Sequence, residues 1–327
     1  MNPRGYGGPQ GVSSEDFLEQ INHKRLGVGV ALLFLIAFST QVFVLNLAPV
    51  YGVLSLDLFH SYGAGLAGIG GFFLKGYVSR RAMRRALYLL PVLALWIPTV
   101  LYFILQIGPV LGNLPGAMLT DVVVFYPLVL LSVLCSRELI HTALRLDQYD
   151  DLVKNHGPFL GLYAVYSIGY KVAQFFISRA LGWTFLFSRA GLQLLIGILY
   201  AAAVPSKLLV LAVPSLLYSL FFNVHIPLGY LTSSLNSALH EEGFVLLERK
   251  DSVTGYLSVL ENFEDKYRIM RCDHSLLGGQ WTGISNDIHP TIKEPVYAVF
   301  TMLEGVRLVE DDQGNARPDE GSEALVM

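Results

Sequence analysis

Three charged residues lie inside long apolar runs: Lys171, Asp121 and Arg189. A charge in the middle of a bilayer costs at least about 2.5 kcal/mol on insertion scales, so it normally faces protein or water. In that setting it marks a substrate or proton path, or an ion pair that joins helices. Lys171 is mid-run and is expected to face the helix bundle, with Asp121 or Glu138 as its partner. Asp121 and Arg189 are near run ends, where snorkelling also satisfies them. Further along stand Asp273, His274 and His289. Adjacent residues on a strand point to opposite faces, so Asp273 and His274 do not converge. His240-Glu241-Glu242 lacks the H-E-x-x-H spacing that sets two ligands on one helix face. The two cysteines, Cys135 and Cys272, have no metal-ligand spacing either. No catalytic triad, P-loop, EF-hand or zinc pattern is legible, so no catalytic or metal residue is assigned.

The elements around these residues are predicted from hydrophobic patterning. The chain has 327 residues, 53% hydrophobic and 15% charged, against about 25% charged in an ordinary soluble domain. The shortage is concentrated between Leu26 and Gly229, where apolar runs alternate with short polar breaks. Runs near 26–47, 61–78, 86–107, 117–135, 158–181, 185–204 and 208–228 approach the length a helix needs to cross a bilayer. These predict a mainly α, polytopic transmembrane bundle of about seven spans, with six to eight as the bracket. The second run is rich in glycine, which lowers helix propensity but lets membrane helices pack closely.

Basic residues in the short connections set the orientation. Lys24 and Arg25 precede the first run, and Arg80, Arg81, Arg84 and Arg85 follow the second. The stretch from Gly108 to Gly116 carries no charge. An integral membrane location with a cytosolic N-terminus is therefore expected. The predicted organisation is a disordered tail over 1–25, a helical region over 26–231, a small β-rich module over 240–310 and an acidic linker over 311–327. The net charge of −3 gives no electrostatic case for nucleic-acid binding. The bilayer is the expected partner.

In the polar module, GFVLLERK, GYLSVLE and KYRIMRCD have strand-like lengths and turn residues between them, predicting a β-meander of three or four strands. EPVYAVFTMLEGVRLV, Glu294 to Val309, repeats its apolar residues at helical spacing, with Pro295 suited to a first turn. Gly278-Gly279 reads as a loop after a strand.

These residues resemble the N-terminal β-domain of spermidine synthases. Leu257 and Val259 match an apolar pair, Ile269 to Asp273 matches a strand ending in Asp, and Glu294 to Tyr297 matches the E-x-x-Y that opens a helix. The phrase MRCDHSLLGGQW also resembles fungal multi-pass membrane proteins with a spermidine synthase-like C-terminal region. The resemblance covers about residues 240 to 310 and implies Tyr297 and Asp273 as substrate-binding candidates. It implies an aminopropyltransferase-like or methyltransferase-like transferase. It further implies that decarboxylated S-adenosylmethionine or S-adenosylmethionine would bind a downstream domain, with no cofactor residue in this chain. That domain could be supplied by a separate partner, and a homo-oligomer is the other partner expectation. The alternative from a different class is a non-enzymatic membrane scaffold or transporter-like protein.

Overall fold

The computed structural model describes residues 22–283 and divides the chain into two units, Met1–Ile226 and Pro227–Met327. The first unit is helical. Its elements are α1 (His23–Tyr51), α2 (Val53–Leu74), α3 (Arg80–Leu111), α4 (Asn113–Thr120), a π turn (Asp121–Phe125) and α5 (Tyr126–Ala143). They are followed by α6 (Asp151–Ala180), α7 (Arg189–Ala203) and α8 (Val213–Phe221).

Local chemistry explains where these helices start and stop. The Asn22 carboxamide accepts from the backbone N–H of Arg25 at 3.1 Å, and the Ser79 hydroxyl accepts from Ala82 at 3.3 Å. Each fills one of the orphan donors at a helix start. Gly52 and Gly112 end α1 and α3, both at φ 80°, a conformation that a side chain resists. Ser188 caps α7, and Pro214 stands in the first turn of α8, where its missing N–H costs nothing.

α1 is the centre of the unit, packed against α2, α5, α6 and α7, while α3 lies against α5, α7 and α8. The core is built around fully buried Tyr51, Tyr200, Phe43 and Phe125. Small residues permit the closest approaches: an added Cβ at Gly71 would strike the backbone carbonyl of Leu130, and one at Gly197 would press on Ala94.

The expectation of about seven spans is corrected. Among the described residues three helices are long and apolar enough to cross a membrane: His23–Tyr51, Arg80–Gly108 and Asn113–Ala143. The sixth run splits at a tight turn, Phe185–Phe187, and leaves only 15 residues in α7. At 1.5 Å per residue that is roughly 22 Å, short of a core about 30 Å thick. The seventh breaks into a 3₁₀ segment, Lys207–Ala212, and the nine residues of α8. Apolar length in a sequence does not reveal where the helix ladder is interrupted.

The second unit begins with α9 (Gly229–Glu241) and continues as four antiparallel strands in the order β1-β2-β3-β4. The strands are β1 (Phe244–Asp251), β2 (Tyr256–Asn262), β3 (Tyr267–Cys272) and β4 (Ser275–Trp281). Phe244 lies opposite Asn262, and Leu257 opposite Cys272. The Asn262 carboxamide organises the β2–β3 turn by accepting from Glu264 and Asp265 at 3.0 and 2.8 Å. β1 carries an irregularity between Leu246 and Glu248. There Asn236 of α9 exchanges two hydrogen bonds with the Leu246 backbone, 2.8 and 3.1 Å long. Gly278 and Gly279 are not in a loop: they pair with Met270 and Ile269 within β4. The helix expected over Glu294–Val309, residues 1–21 of the expected tail and the acidic linker lie outside the described residues, while His23 to Arg25, expected in the disordered tail, form the first turn of α1.

Candidate functional site

Asp121 opens the π turn that joins α4 to α5, and the N–H of Tyr126 donates to the Asp121 carbonyl across it. The next residue is Pro127. Proline has no N–H to give the preceding turn and its ring crowds the carbonyl four residues back, so the helix changes register just ahead of it. Such widened turns recur at functional sites. This one aims Asp121 inward.

The Asp121 carboxylate meets His60 of α2: Nδ1 and Oδ1 are 2.8 Å apart, with both side chains almost wholly buried. Its other oxygen accepts from the Tyr126 hydroxyl at 3.4 Å, and that hydroxyl also lies 3.2 Å from the Phe59 carbonyl. The His60 ring stacks on Phe43 and Phe125, with centroids 5.7 and 5.0 Å away. Gly63 leaves room for Tyr126, since a Cβ there would overlap its hydroxyl. At the residue just before Asp121, Thr120 and Tyr51 share a buried hydrogen bond of 3.2 Å.

The His60 Nε2 is buried and has no hydrogen-bond partner among the described residues. A carboxylate on Nδ1 fixes the tautomer and orientation of an imidazole and leaves Nε2 as the free acceptor. The arrangement therefore presents a buried imidazole nitrogen with no partner among the described residues. No group of three His, Cys, Asp or Glu side chains suited to a metal ion occurs among the described residues.

The structure separates the residues singled out from sequence. Asp121 sits at the centre of the cluster, paired with His60. Lys171 does not reach it. Lys171 is exposed on α6, on the side away from the buried stripe of Gly169, Ala173 and Ile177. Glu138, the other partner proposed for it, pairs with Lys75 at 3.1 Å. Arg189 is buried at the start of α7, and its Nη1 donates to the Leu45 carbonyl at 2.8 Å. Asn46 in turn reaches the Arg189 carbonyl at 3.3 Å, so these contacts staple α7 to α1. Tyr297 and His289 lie outside the described residues. His60 and Tyr126 went unread because each looks ordinary beside an apolar run. The available signal was Pro127 so soon after an Asp inside an apolar run.

Asp273 has a local task. It sits at φ 50° in the β3–β4 turn, and its Oδ1 accepts from the Tyr256 N–H at 2.8 Å. Its own N–H donates to the Tyr256 carbonyl at 2.9 Å. Asp273 thus pins the start of β2 beside Gly255. Asp273→Ala is expected to cost the sheet about 1 kcal/mol, the usual size of one such hydrogen bond, and Asp273→Asn less. Chemical denaturation followed by the fluorescence of Trp281 in β4 measures this, and an unchanged midpoint for the alanine variant contradicts the pinning role.

A helical unit followed in sequence by a small antiparallel sheet does not by itself define a chemistry. Comparison with known proteins adds a relative. Over 305 residues the chain is 53% identical to the N-terminal histidine N-methyltransferase of Emericella nidulans, a match that takes in 93% of this chain and 55% of that protein. The chain thus spans about half the length of the curated relative it matches. No protein-family model matches the chain, and no solved structure matches it.

This relative overturns the spermidine synthase-like resemblance and the polyamine chemistry drawn from it, because its named reaction is methylation of a histidine nitrogen. It equally overturns the scaffold or transporter-like alternative. The resemblance rested on short strands, a turn at an Asp and an E-x-x-Y, and any antiparallel meander with tight turns produces much of that pattern.

Proposed function

We propose that this chain forms part of a methyltransferase that acts on the N-terminal histidine of a polypeptide, with S-adenosylmethionine as the methyl donor. The observation that carries the reading is the 53% identity maintained across 93% of the chain. Methyl transfer to a neutral imidazole nitrogen needs a donor held with its methyl in line with that nitrogen, and the imidazole in its deprotonated form.

The described residues do not fit the donor. Their strands are all antiparallel neighbours. Among them there is no strand leading through a glycine-rich turn into a helix, the arrangement that brings backbone close to a nucleotide. The three long apolar helices hold the protein in a bilayer, and the antiparallel sheet follows them in the chain. The protein is accordingly expected to stay with membranes through high salt and alkaline carbonate; its release by carbonate would remove the membrane reading.

The activity is tested with the full-length protein, S-adenosylmethionine and three peptides. One begins with histidine, one has the same sequence with an acetylated N-terminus, and one has histidine moved to the second position. Mass spectrometry is expected to find one added methyl on the histidine of the first peptide. Absence of methylation there, or equal methylation of the shifted histidine, overturns the proposal.

A further inference from the structure

α3 begins with four arginines, Arg80, Arg81, Arg84 and Arg85, all exposed. At about 100° per residue they fall within an arc of about 140°, while Met83 turns to the core. Arg80 and Arg84, and likewise Arg81 and Arg85, are four residues apart, where like charges repel. The positive end of the helix dipole adds to this repulsion, and the first turn contains no acidic residue. Among the described residues no carboxylate pairs with any of the four, the nearby Lys75 being taken by Glu138. Anions gathered near the four side chains would relieve this repulsion.

A second observation says which anions. One turn beyond the arginines, on the same side of α3, Tyr88 and Leu89 are exposed, and just before them Tyr77 is 90% exposed. From there α3 continues as a helix long and apolar enough to cross a membrane. Charge, then aromatic, then apolar is the order of layers met on entering a bilayer. The arginine segment rises about 7.5 Å along the axis, which matches a headgroup layer of roughly 5–8 Å per leaflet.

We infer that Arg80, Arg81, Arg84 and Arg85 form a collar that binds the headgroups of anionic phospholipids at the surface where α3 enters the membrane. The inference rests on the membrane reading above. Carbonate release would end both, whereas loss of headgroup preference in a protein still held by the membrane ends this one alone.

The test uses delipidated full-length protein in neutral detergent, titrated with mixed micelles of phosphatidylserine or of phosphatidylcholine, and separately with inorganic phosphate. With a polybasic contribution near 1 kcal/mol per residue at a lipid surface, phosphatidylserine should bind at least about tenfold more tightly than phosphatidylcholine. High salt should weaken the preference. Replacing all four arginines with glutamine should abolish it, and replacing them with lysine should retain most of it. The lysine variant and the salt series on the wild-type protein keep the test decisive if the glutamine variant folds poorly. Equal binding of both lipids, or a preference that survives in a folded glutamine variant, overturns the collar. So does binding of free phosphate as tight as binding of phosphatidylserine.

Discussion

Replacing Asp121 with Ala is expected to destabilise the helical unit by about 1–3 kcal/mol, the usual effect of leaving a buried hydrogen-bonding group without its partner. Three groups are affected at once. His60 loses the acceptor 2.8 Å from Nδ1, and its Nε2 already has no partner among the described residues. Tyr126 loses one of two acceptors. The vacated space faces the stack of Phe43, His60 and Phe125, which has little freedom to collapse. His60→Leu is expected to be nearly as harmful, because it strands the Asp121 carboxylate with only the tyrosine hydroxyl. The double variant His60→Leu, Asp121→Leu should recover much of the loss, since two apolar side chains of suitable volume satisfy one another where a single charge cannot. Thermal unfolding in detergent of the wild type, His60→Leu, Asp121→Leu and the double variant forms a double-mutant cycle. Additive losses, with no recovery in the double variant, would show that the two side chains do not act as a pair.

The second large effect is expected at Gly71. α2 crosses α5 so closely there that an added Cβ would fall on the backbone carbonyl of Leu130. Backbone in the middle of a hydrogen-bonded helix has no rotamer to change, so the two helices must separate. Overpacking of this kind costs typically 1–3 kcal/mol and occasionally more. Gly71→Leu, with a side chain as well as a Cβ to place, should lie at the upper end of about 3 kcal/mol or beyond. Gly70 is the control: it is the preceding residue in the same helix, and a Cβ there meets nothing. Gly70→Leu should be tolerated, and on helix propensity alone it should slightly stabilise α2. Melting temperatures for the two variants settle the comparison. Similar values would mean that α2 and α5 do not pack as closely as the geometry requires.

Much of the helical architecture is legible before any folding is considered, because its signals are local. The apolar runs are nearly continuous along α1, α3 and α5; the caps at Asn22 and Ser79 and the stops at Gly52 and Gly112 emerged with the structure. The alternation in Phe244–Asp251 and Tyr256–Asn262 likewise reads as strands, since a strand repeats every two residues whatever lies beside it. β4 was harder: Gly278 and Gly279 are poor strand formers, and only pairing with Ile269 and Met270 makes them a strand.

The tertiary structure decided what depends on distance. His60 and Asp121 are 61 residues apart, and no periodicity connects them. They meet because α2 packs along α5 and a π turn rotates Asp121 toward it. Lys171 was expected to face inward because charge in an apolar run asks for a partner. Yet the side of α6 that packs against α1 is chosen by small residues: Gly169 lies close to Ala37 and Phe34, leaving Lys171 outside. Two of the seven runs were cut short in the same way, by breaks at Phe185–Phe187 and Lys207–Ala212 that hydrophobicity does not register, while the second and fifth form continuous helices that are not apolar enough to count among the three. By itself the sequence determined where helices and strands can form, through hydrogen-bonding and steric rules that act over a few residues. Which faces meet, and so which polar groups share a site, was decided only when packing brought distant segments within hydrogen-bond reach.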